Sequence, residues 1–239
     1  MKRVVVVTDS NATVPEGLVQ ELDIRVVPVL LHLDGHTFRD GVDLPRDEFY
    51  RLLRTHRHTP RTSAPSVGDF LRVFASAADE AQGIVAIHLP PQLSAVYNNA
   101  LLASELVDGL PIRVVSSQTA AMAQGFVVLE AARAAAAGAD LDAVAARAEE
   151  MSKRVRLLAT LETLEYLHRG GRIGGAAALV GSALRIMPIL HLVNARAEPL
   201  TIARTRKKAV DCMLREMRKH VGDRPVHVAV CHGDAHEEA

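Results

Sequence analysis

Along residues 1–151, short β-branched runs alternate with stretches of helical period. Val4, Val5, Val6 and Val7 are consecutive, a run that predicts a strand buried on both faces. Thr13-Val14-Pro15-Glu16 follows and predicts a helix start, with Thr13 as cap, Pro15 in the first turn and Glu16 closing a capping box. Residues 24–31 form a second apolar run and predict another strand, and Asp34-Gly35 marks a turn after it. Ser66-Val67-Gly68-Asp69 is a second capping box, after which Val67, Phe70, Leu71 and Phe74 recur at helical spacing. Strand character returns at 84–89, helix at 94–107, and a third strand-like run ends at Val114-Val115. The alanine-rich stretch 119–137 is helical by propensity, with Gly138 as its stop. Alternation of this kind predicts a parallel sheet.

After a helix over 141–154 the texture changes. Residues 155–159 are apolar and 161–167 helical, and then Gly170-Gly171-Arg172-Ile173-Gly174-Gly175 opens an apolar helix. Residues 188–193 and 200–203 predict a hairpin around 194–199, followed by a basic helix over 206–220. Residues 226–230 read as a buried strand close to the last residue. The expected fold is therefore α/β. It comprises an N-terminal parallel-sheet α/β domain over 1–151 and a second, smaller α/β domain over 152–239 with a mixed or antiparallel sheet. The second domain is expected to be incomplete at its C-terminus.

Composition narrows the function classes. The 239 residues carry 28 basic and 28 acidic side chains, so no charge surplus draws the chain to nucleic acid or to a membrane surface. Aromatic residues are 3% of the chain and Trp is absent, which leaves few platforms for stacking bases or sugars. Hydrophobic residues are 49%, so the core is aliphatic. Cys212 and Cys231 are too few for a disulfide scaffold and are expected as buried thiols. The apolar run at 4–7 is too short for a signal-peptide core, and no segment approaches the ~20 apolar residues of a membrane span. A soluble cytoplasmic protein without stable membrane insertion is the expectation.

Three hydroxyl-bearing segments follow strand-like runs: Thr8-Asp9-Ser10, Thr62-Ser63-Ala64-Pro65-Ser66, and Ser94. In an open parallel sheet such loops gather at one edge, where helix N-termini favour an anion. Asp9, Ser10, Thr62, Ser63 and Ser94 are thus candidate ligand contacts, whereas Ser66 and Thr13 read first as helix caps. The loop 170–175 is a second candidate, because its glycines let backbone amides approach a ligand and Arg172 offers a fork. It carries no Lys-Ser/Thr pair and is not a P-loop. Arg204-Thr205-Arg206-Lys207-Lys208 is a local basic cluster, suited to a solvated helix start or to docking an acidic surface. The pairs His56/His58 and His232/His236 have spacings a metal could use, but no further ligand pattern completes either, so no metal site is expected. Ser94 lacks a Gly-x-Ser-x-Gly elbow, and His88 is the nearest histidine in sequence.

Taken in order, these segments resemble the DegV family. The resemblance rests on Val7-Thr8-Asp9-Ser10, Phe38-Arg39-Asp40-Gly41-Val42-Asp43, Thr62-Ser63-Ala64-Pro65-Ser66, Leu93-Ser94 through Tyr97 to Ala100, Leu164-Glu165-Tyr166-Leu167 before Gly170-Gly171-Arg172-Ile173, and Pro188-Ile189-Leu190 before Arg204-Thr205. It implies a long-chain fatty acid as bound ligand and no separate cofactor, with the carboxylate held by Thr62 and Ser94 and the acyl chain in an apolar tunnel. Leu179, Leu184, Ile186 and Ile189 are candidates for the tunnel wall. It also implies a lipid-binding protein that is not itself an enzyme, an accessory subunit presenting its fatty acid to a separate fatty acid kinase. Arg172 and Arg204 would then lie on the kinase-facing or phosphate-facing surface. The chain departs from the family pattern at Ala95-Val96, where Gly-Thr is usual, and at Ser116-Ser117, where Asp-Ser is usual. A His-x-Gly-Pro-Gly segment that follows in the family lies beyond residue 239. Two other readings stay open: a serine-dependent hydrolase or transferase using Ser94, and a phosphorylated-metabolite-binding protein using the 170–175 loop.

Overall fold

The structure is a computed structural model and describes residues 4–55, 60–78, 80–180 and 186–235. It divides into two compact units, residues 1–155 and 156–239. The dividing point follows the last helix of the first unit, whereas Met151, where the sequence pattern changes, lies inside that helix.

The first unit is built on a four-stranded parallel sheet. Its strands are β1 (Val5–Asp9), β2 (Arg25–Val27), β6 (Ile84–His88) and β7 (Ile112–Ser116), in the order β2-β1-β6-β7. The valine run lies in β1, which is buried at every position. Strand alternation sends Val4, Val6, Val85, Ile87 and Val115 to one face, against α1 (Glu16–Glu21), α5 (Ala121–Ala136) and α6 (Leu141–Arg154). Val5, Val7, Ile84 and Ala86 take the other face, against α3 (Val67–Ala78) and α4 (Val96–Ser104), where Phe70, Phe74, Val96 and Ala100 are fully buried. The Ser66 capping box forms: Asp69 N donates to Ser66 Oγ (3.2 Å) and Ser66 N to Asp69 Oδ2 (2.7 Å). The Ser66 hydroxyl also donates to Asp69 Oδ2 (2.6 Å), the main cause that holds the Asp69 carboxyl below its ordinary range.

Two expectations for this unit are corrected. Residues 24–31 are not one strand. Pro28 interrupts them, and β3 (Leu30–Leu33) joins a separate antiparallel sheet with β4 (His36–Arg39) and β5 (Arg61–Ser63), in the order β4-β3-β5. Thr13 does not cap α1. It closes a short 3-10 turn over Ser10–Ala12 in the left-handed region (φ 48°), and Pro15 takes the cap position with no side-chain bond. The Asp34-Gly35 turn does form, with both residues at positive φ (49° and 80°), the backbone of a tight β3–β4 hairpin. The remaining helix of the unit is α2 (Arg46–Thr55).

The second unit holds a three-stranded antiparallel sheet of β8 (Leu158–Thr160), β9 (Met187–Val193) and β10 (Arg196–Ala203), in the order β10-β9-β8. The hairpin is tighter than the pattern suggests, because Asn194 and Ala195 alone make the turn, both at positive φ. Pro199 enters β10 at a register shift, where a missing N–H disturbs the ladder least. Helix α7 (Glu165–Arg169) is followed by a 3-10 helix over Gly174–Leu179, and Thr205 caps α8 (Arg206–Val221) through Lys208 N (3.3 Å). The expected strand at 226–230 does not form: among the described residues those positions have no ladder partner, and Val226, Val228 and Val230 are exposed. Cys231 is also exposed and Cys212 half-buried, so the two thiols are free but not both buried as expected. Among the described residues, no helix is long and apolar enough to cross a membrane.

Candidate functional site

The strand order β2-β1-β6-β7 reverses direction between β1 and β6, and the crevice beyond the carboxyl ends of those two strands is where open α/β sheets take ligands. β1 ends on Asp9 and β6 on His88, and both side chains are fully buried. Asp9 Oδ2 accepts from His88 Nδ1 (3.1 Å), Leu89 N (3.2 Å) and Gln124 Nε2 (3.0 Å), and Oδ1 accepts from Asn11 N (3.1 Å). A carboxylate can only accept, so Nδ1 carries the imidazole proton. Asp9 therefore lies beneath the crevice with its acceptor capacity committed. Ser10 Oγ accepts from Val29 N (3.1 Å), and Ala121 N donates to Asn11 Oδ1 (3.0 Å), which links the β1 loop to β3 and to α5.

Ser94 stands at the other wall, half-buried. Its Oγ accepts from Val96 N (3.4 Å), and its own N–H donates to Pro90 O (3.2 Å). The bond from Val96 N uses a lone pair of the hydroxyl, and among the described residues the hydroxyl proton has no acceptor. Asn99 Nδ2 on α4 donates to Pro65 O (2.7 Å), tying the Thr62–Ser66 segment to the helix that follows Ser94. Val96 is fully buried against α3.

Thr62 and Ser63 are separated by the pleat. Thr62 pairs with Leu31 and Ser63 with Leu30, so their side chains point to opposite faces of the β4-β3-β5 sheet. On one face, His32 joins both edge strands, with Nε2 2.8 Å from Ser63 Oγ and Nδ1 2.9 Å from Thr37 Oγ1. On the other, among the described residues, the exposed Thr62 hydroxyl has no hydrogen-bond partner. Beyond β4, Arg39 grips Asp43 through Nε and Nη2 (2.7–3.2 Å) and its backbone N (2.8 Å), holding the Asp43 carboxyl down at about 2. That ion pair accounts for the Arg-x-x-x-Asp spacing of 39–43 as a closed turn.

Arg172 and Arg204 belong to the second unit. The amides of Gly170, Gly171 and Arg172 donate to Tyr166 O, His168 O and Leu167 O, closing α7. Those N–H groups are spent on the helix end and do not form an open phosphate cradle. Arg172 is exposed, and its Nη1 donates to Gly170 O. A Cβ on Gly174 or Gly175 would overlap β10 at Ala197 and Glu198, so this glycine pair serves close packing. A cleft of about 820 Å³ within the second unit has an apolar wall of Leu161, Leu164, Leu179, Val180, Ile186 and Met187 and a basic side with Arg169, Arg204 and Arg206. Arg206 pairs with Glu162 (3.5 Å) and Arg169 with Glu165 (2.7 Å), while Arg204 is exposed without a recorded ion pair among the described residues. Of the tunnel candidates, Leu179 and Ile186 line this cleft, Ile189 is fully buried core, and Leu184 lies outside the described residues, as do His56, His58 and His236. Among the described residues, no cluster of three His, Cys, Asp or Glu side chains is placed to hold a metal ion.

Sequence reasoning passed over His32, Gln124, Asn11 and Asn99 and weighed His88 only as a base. Gln124 left a signal, a polar residue inside an alanine-rich helix face, whereas the role of His32 depends on cross-strand register.

The family model described as "Uncharacterised protein, DegV family" matches residues 3–239. The chain belongs to the DegV family. It is 31% identical to Protein DegV of Bacillus subtilis over 238 residues, covering 99% of this chain and 85% of that one. A DegV family protein from Thermus thermophilus, solved in a study of its fatty acid binding, superposes with a TM-score of 0.86 at 35% identity over 93% of this chain and 79% of that one. The crystal structure of B. subtilis DegV, a fatty acid binding protein, gives 0.85 at 30% identity, covering 92% and 79%. A stearic acid-binding protein from Eubacterium ventriosum gives 0.81 at 27% identity, covering 90% and 76%.

Proposed function

We propose that this DegV protein binds a long-chain fatty acid, with the carboxylate accepting hydrogen bonds from the Thr62 and Ser94 hydroxyls and the acyl chain in an apolar tunnel. The observation that carries this reading is the unspent donor capacity at those two positions. Among the described residues the Thr62 hydroxyl has no hydrogen-bond partner, and Ser94 gives only a lone pair, to Val96 N. Fatty acid binding by the Thermus, Bacillus and Eubacterium relatives supports it. An apolar tail gains ~0.8 kcal/mol per buried methylene, so the tail supplies affinity and the hydroxyls supply direction. Asp9 and Ser10 serve the site from beneath, and Ser63 contributes through His32 more than by contact.

The protein acts in the cytoplasm and presents its ligand to a separate fatty acid kinase, with Arg172 and Arg204 facing that partner or the phosphate it transfers. It is not itself the catalyst. A hydrolase using Ser94 would need a base on the hydroxyl. The Asp9–His88 pair has the orienter-to-base sense of a nucleophilic triad, but among the described residues His88 Nε2 has no hydrogen-bond partner.

Titration of delipidated protein with palmitate tests the reading. Thr62→Ala weakens binding by about 1–2 kcal/mol, the scale of one hydrogen bond to a charged group, and Ser63→Ala by much less. Equal affinity in wild type and Thr62→Ala removes Thr62 from the site.

A further inference from the structure

The largest buried polar cluster among the described residues lies under the crevice, and two of its atoms have no partner. Thr8, Asp9, His88 and Gln124 are all fully buried. Among the described residues, His88 Nε2 and Gln124 Oε1 have no hydrogen-bond partner. An unsatisfied buried polar atom costs stability, and apolar residues of similar shape would avoid that cost. Stability alone therefore does not account for the cluster. What it accomplishes is geometric: one carboxylate gathers donors from three separate segments of the first unit.

The connections run to the turn that carries Ser94. Asp9 Oδ2 accepts from Leu89 N (3.2 Å), which anchors the first residue after β6. Pro90 and Pro91 follow, each with φ locked by its ring, and Pro90 O accepts from both Leu93 N (2.9 Å) and Ser94 N (3.2 Å). His88 O accepts from Ser117 N (2.9 Å), and Phe70 meets the His88 ring in a T-shaped contact at 5.1 Å, so both the backbone and the ring of His88 are held. Gln124 Nε2 donates to Thr8 Oγ1 (3.3 Å) as well as to Asp9, pinning α5 to the end of β1.

We infer that Asp9, His88 and Gln124 form a buried brace that fixes the Ser94 turn, making them positioning residues for recognition of the ligand's carboxylate. This rests on the fatty-acid reading above. The brace touches no ligand. It holds the Leu89–Ser94 turn so that the free Ser94 proton is presented in one direction. Loss of the brace loosens head-group recognition and leaves burial of the tail intact.

The test compares affinity for palmitate with affinity for methyl palmitate, measured on the delipidated full chain by displacement of a fluorescent fatty-acid analogue. The ester keeps the tail and removes the charge, so the ratio reads head-group recognition alone, and general loosening of the fold would not change it selectively. His88→Phe, which keeps a ring but no donor, lowers the acid-over-ester preference by about tenfold, the scale of a lost charge-assisted hydrogen bond. His88→Asn, whose amide nitrogen can stand at the Nδ1 position, retains most of it. Gln124→Met shifts the preference in the same direction as His88→Phe and carries the test if that variant fails to fold. A folded His88→Phe or Gln124→Met with the wild-type ratio overturns the positioning role, as does His88→Asn falling as far as His88→Phe. Wild-type protein with no preference for the acid overturns the carboxylate reading itself, and the brace proposal with it.

Discussion

At the scale of single residues, local motif and function part ways. Thr62 and Ser63 are neighbours in the same hydroxyl-rich segment, yet the pleat turns Ser63 toward His32 and leaves the Thr62 hydroxyl, among the described residues, without a partner. The segment was legible in the sequence, but the parity was not, because a one-residue change in the register of β5 on β3 would exchange the two faces. Asp9 shows the converse. It reads as a crevice ligand from its place after the valine run, and its burial beneath four donors emerges only when β6 and α5 close over it. The Arg39–Asp43 turn gives a prediction at this scale. Asp43 titrates at about 2, below the ordinary carboxylate value near 3.9, because Arg39 hydrogen-bonds its charged form. A depressed folded value means that the ion pair's contribution is present above the ordinary value and is lost as pH falls from there through about 2. Carbon-detected NMR of the Asp43 carboxyl checks this, and a midpoint near the ordinary value would show that the pair does not persist in solution.

Elements were legible where caps and periodicity agree. The Ser66 box and the Gly138 stop form where the pattern places them, and the hairpin of β9 and β10 forms with a tighter turn than the pattern places there. Misreadings follow a chain-wide cause. Residues 24–31 look like one apolar run, but Pro28 forfeits a ladder hydrogen bond, and the two halves pair with different partners. Thr13 satisfies a capping pattern, yet the backbone there closes the Ser10–Ala12 turn against α5. That contact explains Gly125, where a Cβ would stand 2.6 Å from both Ala12 O and Met122 Sδ. Met122 can shift its side chain, but the carbonyl is fixed by the turn. Gly125→Ala is therefore expected to destabilise the first unit by about 1–3 kcal/mol, read as a lower midpoint of thermal unfolding. An unchanged midpoint would mean that α5 and the turn separate easily, contrary to their packing.

For the whole molecule, the sheet order brings the carboxyl ends of β1 and β6 together, and with them the segments carrying Asp9 and Ser94. The strand and helix alternation already implied a parallel sheet. Strand order did not follow from it, since the chain places β2 through β5 and three α-helices between β1 and β6. The second unit was less legible. Its glycine-rich loop looks like a ligand cradle in sequence, and its amides turn out to close a helix. With 28 charges of each sign and an aliphatic composition, the molecule suits an apolar ligand with a small polar head better than a polyanion. The most direct test is mass spectrometry of the purified protein, first under native conditions and then after denaturation and solvent extraction. A fatty acid that adds to the native mass and is released only on denaturation is the predicted result. Protein that is ligand-free as purified and takes up no added palmitate would contradict it.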